Sequence, residues 1–174
     1  MIKQVLETQV AIAPGADDEV VVRPARDADV PAIVEVVNEN VRQGHLLPRS
    51  EANIRTTLES WVVATVNGRV VGIGSLVEMS PVLVEVRSLA VLPAYRAYGI
   101  GGRVVRGLVA QARRRGFPTV FALTRAVSFF ERLGFSVTDK ERFPEKVWRD
   151  CAICPLQHAC DETAVVFEIE KVTR

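Results

Sequence analysis

Ser88-Leu89-Ala90-Val91-Leu92-Pro93-Ala94-Tyr95-Arg96-Ala97-Tyr98-Gly99-Ile100-Gly101-Gly102-Arg103 is the stretch from which the rest of the chain is read. It begins as an apolar strand, passes Pro93, and runs through Arg96-x-x-Gly99-x-Gly101 into a long amphipathic helical pattern. A turn of this kind leaves the first N–H groups of the helix without partners inside the helix. Those donors, with the positive end of the helix dipole, suit a phosphate or diphosphate. Gly99, Gly101 and Gly102 remove the side chains that would keep a ligand from the backbone. A short Gly-x-Gly run is common; the order strand, Pro, Arg-x-x-Gly-x-Gly, amphipathic helix is far more specific.

Outward from that turn, Ile100, Val104, Val105, Leu108 and Ala112 share one helix face, and Arg113-Arg114-Arg115 and Gly116 close the helix. Upstream, Trp61 to Val66 and Arg69 to Met79 form a hairpin about Asn67-Gly68, and Val82 to Val91 is the next strand. Glu19 to Pro24 is a β-branched strand. Asp27 or Asp29 caps a helix from Val30 to Val41, with Pro31 in its first turn. Gln43 to Arg49 is a loop, and Ser50 caps a second helix reaching Glu59. Downstream, Pro118 to Leu123 is a strand, Ala126 to Leu133 a short helix, and Phe135 to Val137 a strand. A polar segment from Asp139 to Glu162 precedes a last strand, Ala164 to Glu170. Strands interleaved with helices predict a mixed sheet in a layered α/β or α+β domain. Residues 1 to 18 read as a loose leader and residues 19 to 174 as one domain.

The 174 residues are 48% hydrophobic and 25% charged, a globular balance that excludes a disordered chain. A formal net charge of +1 gives no global field toward nucleic acid or anionic membrane. No apolar run approaches a bilayer span, and the start lacks the order of a secretory signal. Three cysteines, an odd number, fit a reducing cytosol, so the expected location is cytoplasmic.

The turn resembles the acyl-CoA-binding motif of the GCN5-related N-acetyltransferases (GNAT). The resemblance implies a central sheet splayed between its fourth and fifth strands, with acetyl-CoA as co-substrate in the splay. It assigns cofactor binding to Leu89, Ala90, Val91, Arg96, Ala97, Tyr98, Gly99, Ile100, Gly101, Gly102 and Arg103. In particular, backbone N–H groups at Leu89 and Val91 would meet pantetheine and the thioester oxygen, and the glycine turn would hold the diphosphate. A second segment, Ser128-Phe129-Phe130-Glu131-Arg132-Leu133-Gly134-Phe135, is similar to a family motif with tyrosine in place of Phe130. Phe130 therefore falls in the cofactor set but cannot donate a proton to the thiolate. A thiol of pKa about 8.5 leaves acceptably without that help.

Four further stretches resemble the N-acetylglutamate synthases, and among them the short, stand-alone actinobacterial type. They are Gly44 to Ser50, Val86 to Val91, Phe121 to Arg125, and Phe143 to Cys151 running on to Glu162. The resemblance implies acetyl transfer to the α-amine of L-glutamate, or also L-glutamine, by direct attack in a ternary complex. The longer synthases carry an amino-acid-kinase-like domain for arginine feedback that has no counterpart in this sequence. A homodimer is the expected assembly, without nucleic-acid or membrane partners.

Two carboxylates on the acceptor require converging cations, and arginine binds carboxylates bidentately. Arg49, Arg87, Arg125 and Lys146 are the candidates, with Ser88 and Leu89 beside them. Each arginine also has the ordinary reading of a surface salt bridge. Arg87 and Glu85 share one strand face and can pair there. Glu85 is the candidate general base, Glu78 a weaker one, and a base acting through water is equally open. His45 reads as a loop hydrogen-bonder. Cys151-x-x-Cys154, His158 and Cys160 could satisfy tetrahedral zinc, but His158-x-Cys160 is an unusual spacing, so a metal-free loop is expected. The rival readings are a transferase for another amine such as a protein N-terminus, a non-catalytic acyl-CoA sensor, and a basic-helix nucleic-acid binder.

Overall fold

A computed structural model describes Gly15 and residues 17 to 170. The leader expected over residues 1 to 18 lies almost wholly outside them. The elements run β1 (Val20–Pro24), α1 (Val30–Arg42), α2 (Glu51–Thr56), β2 (Trp61–Val66), β3 (Arg69–Ser80) and β4 (Leu83–Val91). They continue with α3 (Ile100–Arg114), β5 (Thr119–Thr124), α4 (Val127–Glu131), β6 (Ser136–Thr138), α5 (Pro144–Arg149) and β7 (Thr163–Glu168). One sheet holds all seven strands in the order β1-β2-β3-β4-β5-β7-β6. Every neighbouring pair is antiparallel except β4 and β5.

Local chemistry accounts for most of these elements. Asn67 and Gly68 take φ of 49° and 81°, the left-handed pair that a two-residue hairpin requires. Ser50 caps α2 by accepting from the Asn53 N–H at 3.1 Å. Asp29 does not cap α1 as expected. Its carboxylate accepts from the Arg26 N–H at 2.8 Å and from Arg23 at 2.6 and 2.9 Å. A 3-10 turn over Asp27–Asp29 precedes the helix and claims that side chain.

Helix α3 lies close on one face of the sheet because β3 offers glycine there. A Cβ on Gly72 would stand 2.9 Å from Ile100, and one on Gly74 would stand 2.8 Å from Leu108. Alternation along β3 turns Ser75 and Val77 to the other face. Their register partners Arg87 and Glu85 lie there too. Helix α1 packs across β3 and β4 on that second face. Within the polar segment expected from Asp139 to Glu162, Phe143, 2% exposed, stacks on Phe121 at 4.1 Å and anchors α5 over the sheet. Phe121 pairs in register with Glu85, so α5 and the Glu85–Arg87 pair share a face.

The sheet opens at its one parallel pair. Pairing is confined to Leu83–Glu85 with Thr119–Phe121, although β4 continues to Val91 and β5 to Thr124. Just beyond the last pair, Ser88 and Leu89 together face Gly74, since Ile73 pairs with Ala90 and Ser75 with Arg87. Ser88 carries this bulge at φ 51°, in the left-handed region. Among the described residues, no helix is long and apolar enough to cross a membrane.

Candidate active site

Two sets of residues meet from opposite faces at the splay. On the α3 side, a single 3-10 turn over Pro93–Tyr95 leads from β4 to Gly99, the N-cap of α3, at φ 74°. Ala97 sits at φ 67°, a region where a non-glycine residue is strained. Gly99 has no side chain with which to cap α3, and a Cβ there would meet nothing within 4 Å. Tyr98 and Gly99 are exposed, so the helix start opens to solvent. The first donors, on Ile100, Gly101 and Gly102, thus fit a diphosphate by chemistry and by access. Behind them a Cβ on Gly101 would stand 3.5 Å from Phe129, and one on Gly102 would stand 3.3 Å from Leu133.

The arginines of the turn do not point at that opening. Arg96 donates to the Val91 carbonyl at 3.2 Å, to Asn40 Oδ1 at 2.9 Å and to Gln43 Oε1 at 2.7 Å. Its guanidinium ties this turn to the end of α1, because buried Asn40 and exposed Gln43 offer the oxygens it donates to. Arg103 reaches the Val20 carbonyl at 3.3 Å. With Arg106 and Arg114 it lines a groove of about 560 Å³ between α3 and β1. Phe130 is likewise withdrawn: it is 4% exposed and packs edge-on to Phe129 and Phe135. An all-carbon ring gains more from that aromatic core than from a polar cleft.

On the second face the acceptor candidates assemble in part. Glu85, 3% exposed, accepts from Arg87 Nε at 2.7 Å and from Lys146 Nζ at 3.0 Å. Asp150, at the end of α5, accepts from Arg87 Nη2 and from Lys146 Nζ, the latter at 3.2 Å. Glu85, Arg87, Asp150 and Lys146 therefore close a ring of alternating charge. Burial alone would raise the Asp150 carboxyl, but the Arg87 and Lys146 charges outweigh it and hold it below the usual range. Arg49, from the loop between α1 and α2, lies beside this ring, half-buried. Burial, then the charge of Arg87, lowers its pKa, while Glu85 and Asp150 act against that shift. Among the described residues no carboxylate lies within salt-bridge distance of Arg49.

Arg125 does not join the ring. It is exposed and donates to Asp161 Oδ1 at 2.6 Å. Glu78 is also remote: it is exposed, 3.6 Å from Arg115, and its backbone carbonyl accepts from Arg149 at 3.0 Å. His45 is exposed, with Nδ1 3.5 Å from Arg96. Cys160 lies 3.1 Å from Lys140 Nζ, and Cys151 and Cys154 are half-buried. Among the described residues, no three His, Cys, Asp or Glu side chains gather as a metal site.

Sequence reasoning missed Asp150, Glu162 and Asn40. Burial raises the Glu162 carboxyl, against the opposing charges of Arg125, Lys146 and Lys140. Asn40 could have been noticed as a polar residue on the apolar stripe of Ile33, Val36 and Val37. Asp150 carried no signal beyond its place four residues after Lys146 and within the synthase-like stretch from Phe143 to Cys151.

Comparison with known proteins accords with this architecture. The family model for the acetyltransferase (GNAT) family matches residues 31–135. The uncharacterized N-acetyltransferase CT2212 of Chlorobaculum tepidum is 41% identical over 145 residues, covering 83% of this chain and 94% of that protein. An amino-acid acetyltransferase of Mycobacterium tuberculosis is 39% identical over 122 residues, covering 67% of this chain and 68% of that one. The crystal structure of Mycobacterium tuberculosis Rv2747 in complex with CoA superposes with a TM-score of 0.73 at 28% identity. That match spans 86% of this chain and 99% of the other.

Proposed function

Since the chain belongs to the acetyltransferase (GNAT) family, we propose that it moves acetyl from acetyl-CoA to the α-amine of a small amino acid, L-glutamate or L-glutamine. The observation that carries this reading is Arg49, a half-buried guanidinium with no carboxylate partner among the described residues, beside the Glu85–Arg87–Asp150–Lys146 ring. A buried cation without a counter-ion is costly, and an acceptor α-carboxylate would relieve that cost with two parallel hydrogen bonds. The amino-acid acetyltransferase relative and the CoA complex of Rv2747 support the same acceptor class and co-substrate.

In this reading the open start of α3 takes the diphosphate, and the bulged strand from Ser88 to Val91 aligns the thioester in the splay. Arg49 holds the acceptor carboxylate so that its amine faces the thioester carbonyl from the second face. The ammonium first gives one proton to a base; the free amine then attacks, forming the amide bond and breaking the carbon–sulfur bond, and the nitrogen's next proton is passed through water to the departing thiolate. Both oxygens of Glu85 already accept from cations. Glu85 then serves to position Arg87 and Lys146, and water takes the proton. Positioning the two reactants removes the largest part of the entropic barrier.

The test is release of free CoA thiol from acetyl-CoA with each of the twenty amino acids in turn. Glutamate or glutamine should give the fastest release. Arg49→Ala should raise the acceptor KM at least tenfold and leave the acetyl-CoA KM unchanged. Release with peptide N-termini but with no free amino acid would overturn the proposal.

A further inference from the structure

The charge ring bears on which acceptors enter, on the premise that the chain transfers acetyl to an amino acid as proposed above. Arg87, whose charge acts on Arg49, and Lys146 are each engaged twice. Arg87 contacts Glu85 and Asp150; Lys146 lies 3.0 Å from Glu85 and 3.2 Å from Asp150. Within the ring two positive charges balance two negative, and Arg49 and Arg149, the latter 4.0 Å from Asp150, add positive charge at its edge. The two carboxylates are not equally fixed. Glu85 projects from the centre of the sheet and is 3% exposed. Asp150 follows α5, its side chain is 27% exposed, and it stands on the solvent side of the same two cations. Its segment is held by Phe143 on Phe121 and by the bond from Arg149 to the Glu78 carbonyl at 3.0 Å.

We infer that Asp150 occupies the seat of an acceptor's second carboxylate, and so sets how strongly the enzyme discriminates against dicarboxylate acceptors. An acceptor with one carboxylate is served by Arg49 and leaves the ring closed. An acceptor with two must displace Asp150 from Arg87 and Lys146, or sit against it as a like charge. Asp150 is thus a specificity residue that competes with substrate for the same donors, and α5 is the latch that holds it there. Removing its charge frees one positive charge within reach of a side-chain carboxylate, a gain that a neutral carboxamide cannot use.

Glutamate and glutamine are nearly isosteric and differ by that one charge, so their ratio isolates the effect. Asp150→Asn should raise the glutamate-to-glutamine ratio of kcat/KM at least tenfold, chiefly through the glutamate KM, and Asp150→Glu should restore the wild-type ratio. A purely structural role would change both acceptors alike; an unchanged ratio overturns the inference. A second measurement needs no turnover. Hydrogen exchange over residues 144–153 should quicken in wild type with glutarate but not with glutaramate, and the difference should vanish in Asp150→Asn. If wild type acetylates neither amino acid, the functional proposal fails, and the exchange result alone decides the role of Asp150. Identical exchange with the two probes in wild type would overturn it.

Discussion

Gly74→Ala tests whether glycine in β3 is what lets α3 reach the splay. The added methyl would stand 2.8 Å from Leu108 Cδ1 and 2.9 Å from Val104 Cγ1, where carbon contacts settle at about 3.5–4.0 Å. Both neighbours are 0% exposed, within the core. Overfilling of this kind costs about 1–3 kcal/mol, against which a Gly-to-Ala change in a strand returns about 0.5–1 kcal/mol. With two atoms in conflict the cost lies toward the upper end of that range, so the net loss should be at least about 1 kcal/mol. At a urea slope of about 2 kcal/mol/M the unfolding midpoint should fall by at least about 0.5 M. Fluorescence of Trp61, which opens β2, is 2% exposed and donates its indole N–H to Thr57 Oγ1 at 3.1 Å, offers a signal for the titration. The sharper assay is a double-mutant cycle with Leu108→Ala. That truncation alone should cost about 2–5 kcal/mol through its cavity, and the methyl added at Gly74 should then be relieved of Leu108 and left with Val104 alone. The two changes should therefore couple favourably by about 1–2 kcal/mol. Additive costs, or a Gly74→Ala protein as stable as wild type, would show that glycine is not what sets the distance between α3 and β3.

Two further outcomes separate the roles assigned above. Gly101→Glu should abolish CoA binding by calorimetry, because it brings a carboxylate to the donors at the start of α3. Arg96→Gln should leave CoA affinity nearly unchanged and raise the acceptor KM about tenfold, since its donors hold Asn40 and Gln43 rather than phosphate. A large loss of CoA affinity in Arg96→Gln would return that guanidinium to the diphosphate. Glu162 predicts a pH effect. Burial raises its folded-state pKa above the unfolded value, so the folded protein binds the proton more tightly. Its contribution is fully present below the unfolded carboxylate pKa, about 4.3, and declines as pH rises through the raised folded value. The stability gap between Glu162→Gln and wild type should therefore widen, in favour of the variant, between about pH 4 and 7. Parallel urea midpoints across that range would rule the effect out.

The parts of this fold written in neighbouring residues were legible. Asn67-Gly68 announces its hairpin, Ser50 its helix, and the spacing of Ile100, Val104, Val105, Leu108 and Ala112 the buried face of α3. Each depends on contacts within a few positions, where periodicity and turn chemistry decide. The site was legible only where a motif sets backbone rather than side-chain direction. The glycine turn stands open at the helix start as expected, whereas Arg96, Arg103 and Phe130 in the same motifs point elsewhere. Their directions follow from partners far along the chain: Arg96 meets Asn40 56 residues away, and Arg87 meets Asp150 63 residues away. No local pattern encodes such a pairing. Nor does polarity alone exclude order, since buried Phe143 and the ion pairs of Lys146 and Asp150 together fasten α5 to the sheet.

The split between the two faces also explains why β4 carries both a bulge and an ion-pair ring. Glu85 and Arg87 take the face of α1 and α5, whereas Val91, further along the strand, pairs with Gly72, on which α3 rests. Between them Ser88 holds backbone strain, at φ 51°, and breaks the alternation. A regular strand from Leu83 to Val91 would lie flat along β5 and leave no opening. With the bulge, pairing to β5 ends at Glu85 and the two strands part. On the proposed reading, that gap is where a thioester from one face meets an amine from the other. The ring then has a mechanical duty beyond charge. It pins α5 to the strand close to where the backbone leaves regular geometry, so on the proposed reading an acceptor held by Arg49 lies against the same frame as the thioester. Arg96 closes that frame from the far side by joining the carbonyl of Val91 to the end of α1. Both reactants are thereby referred to one strand, and loosening either tie should cost acceptor alignment before it costs cofactor affinity.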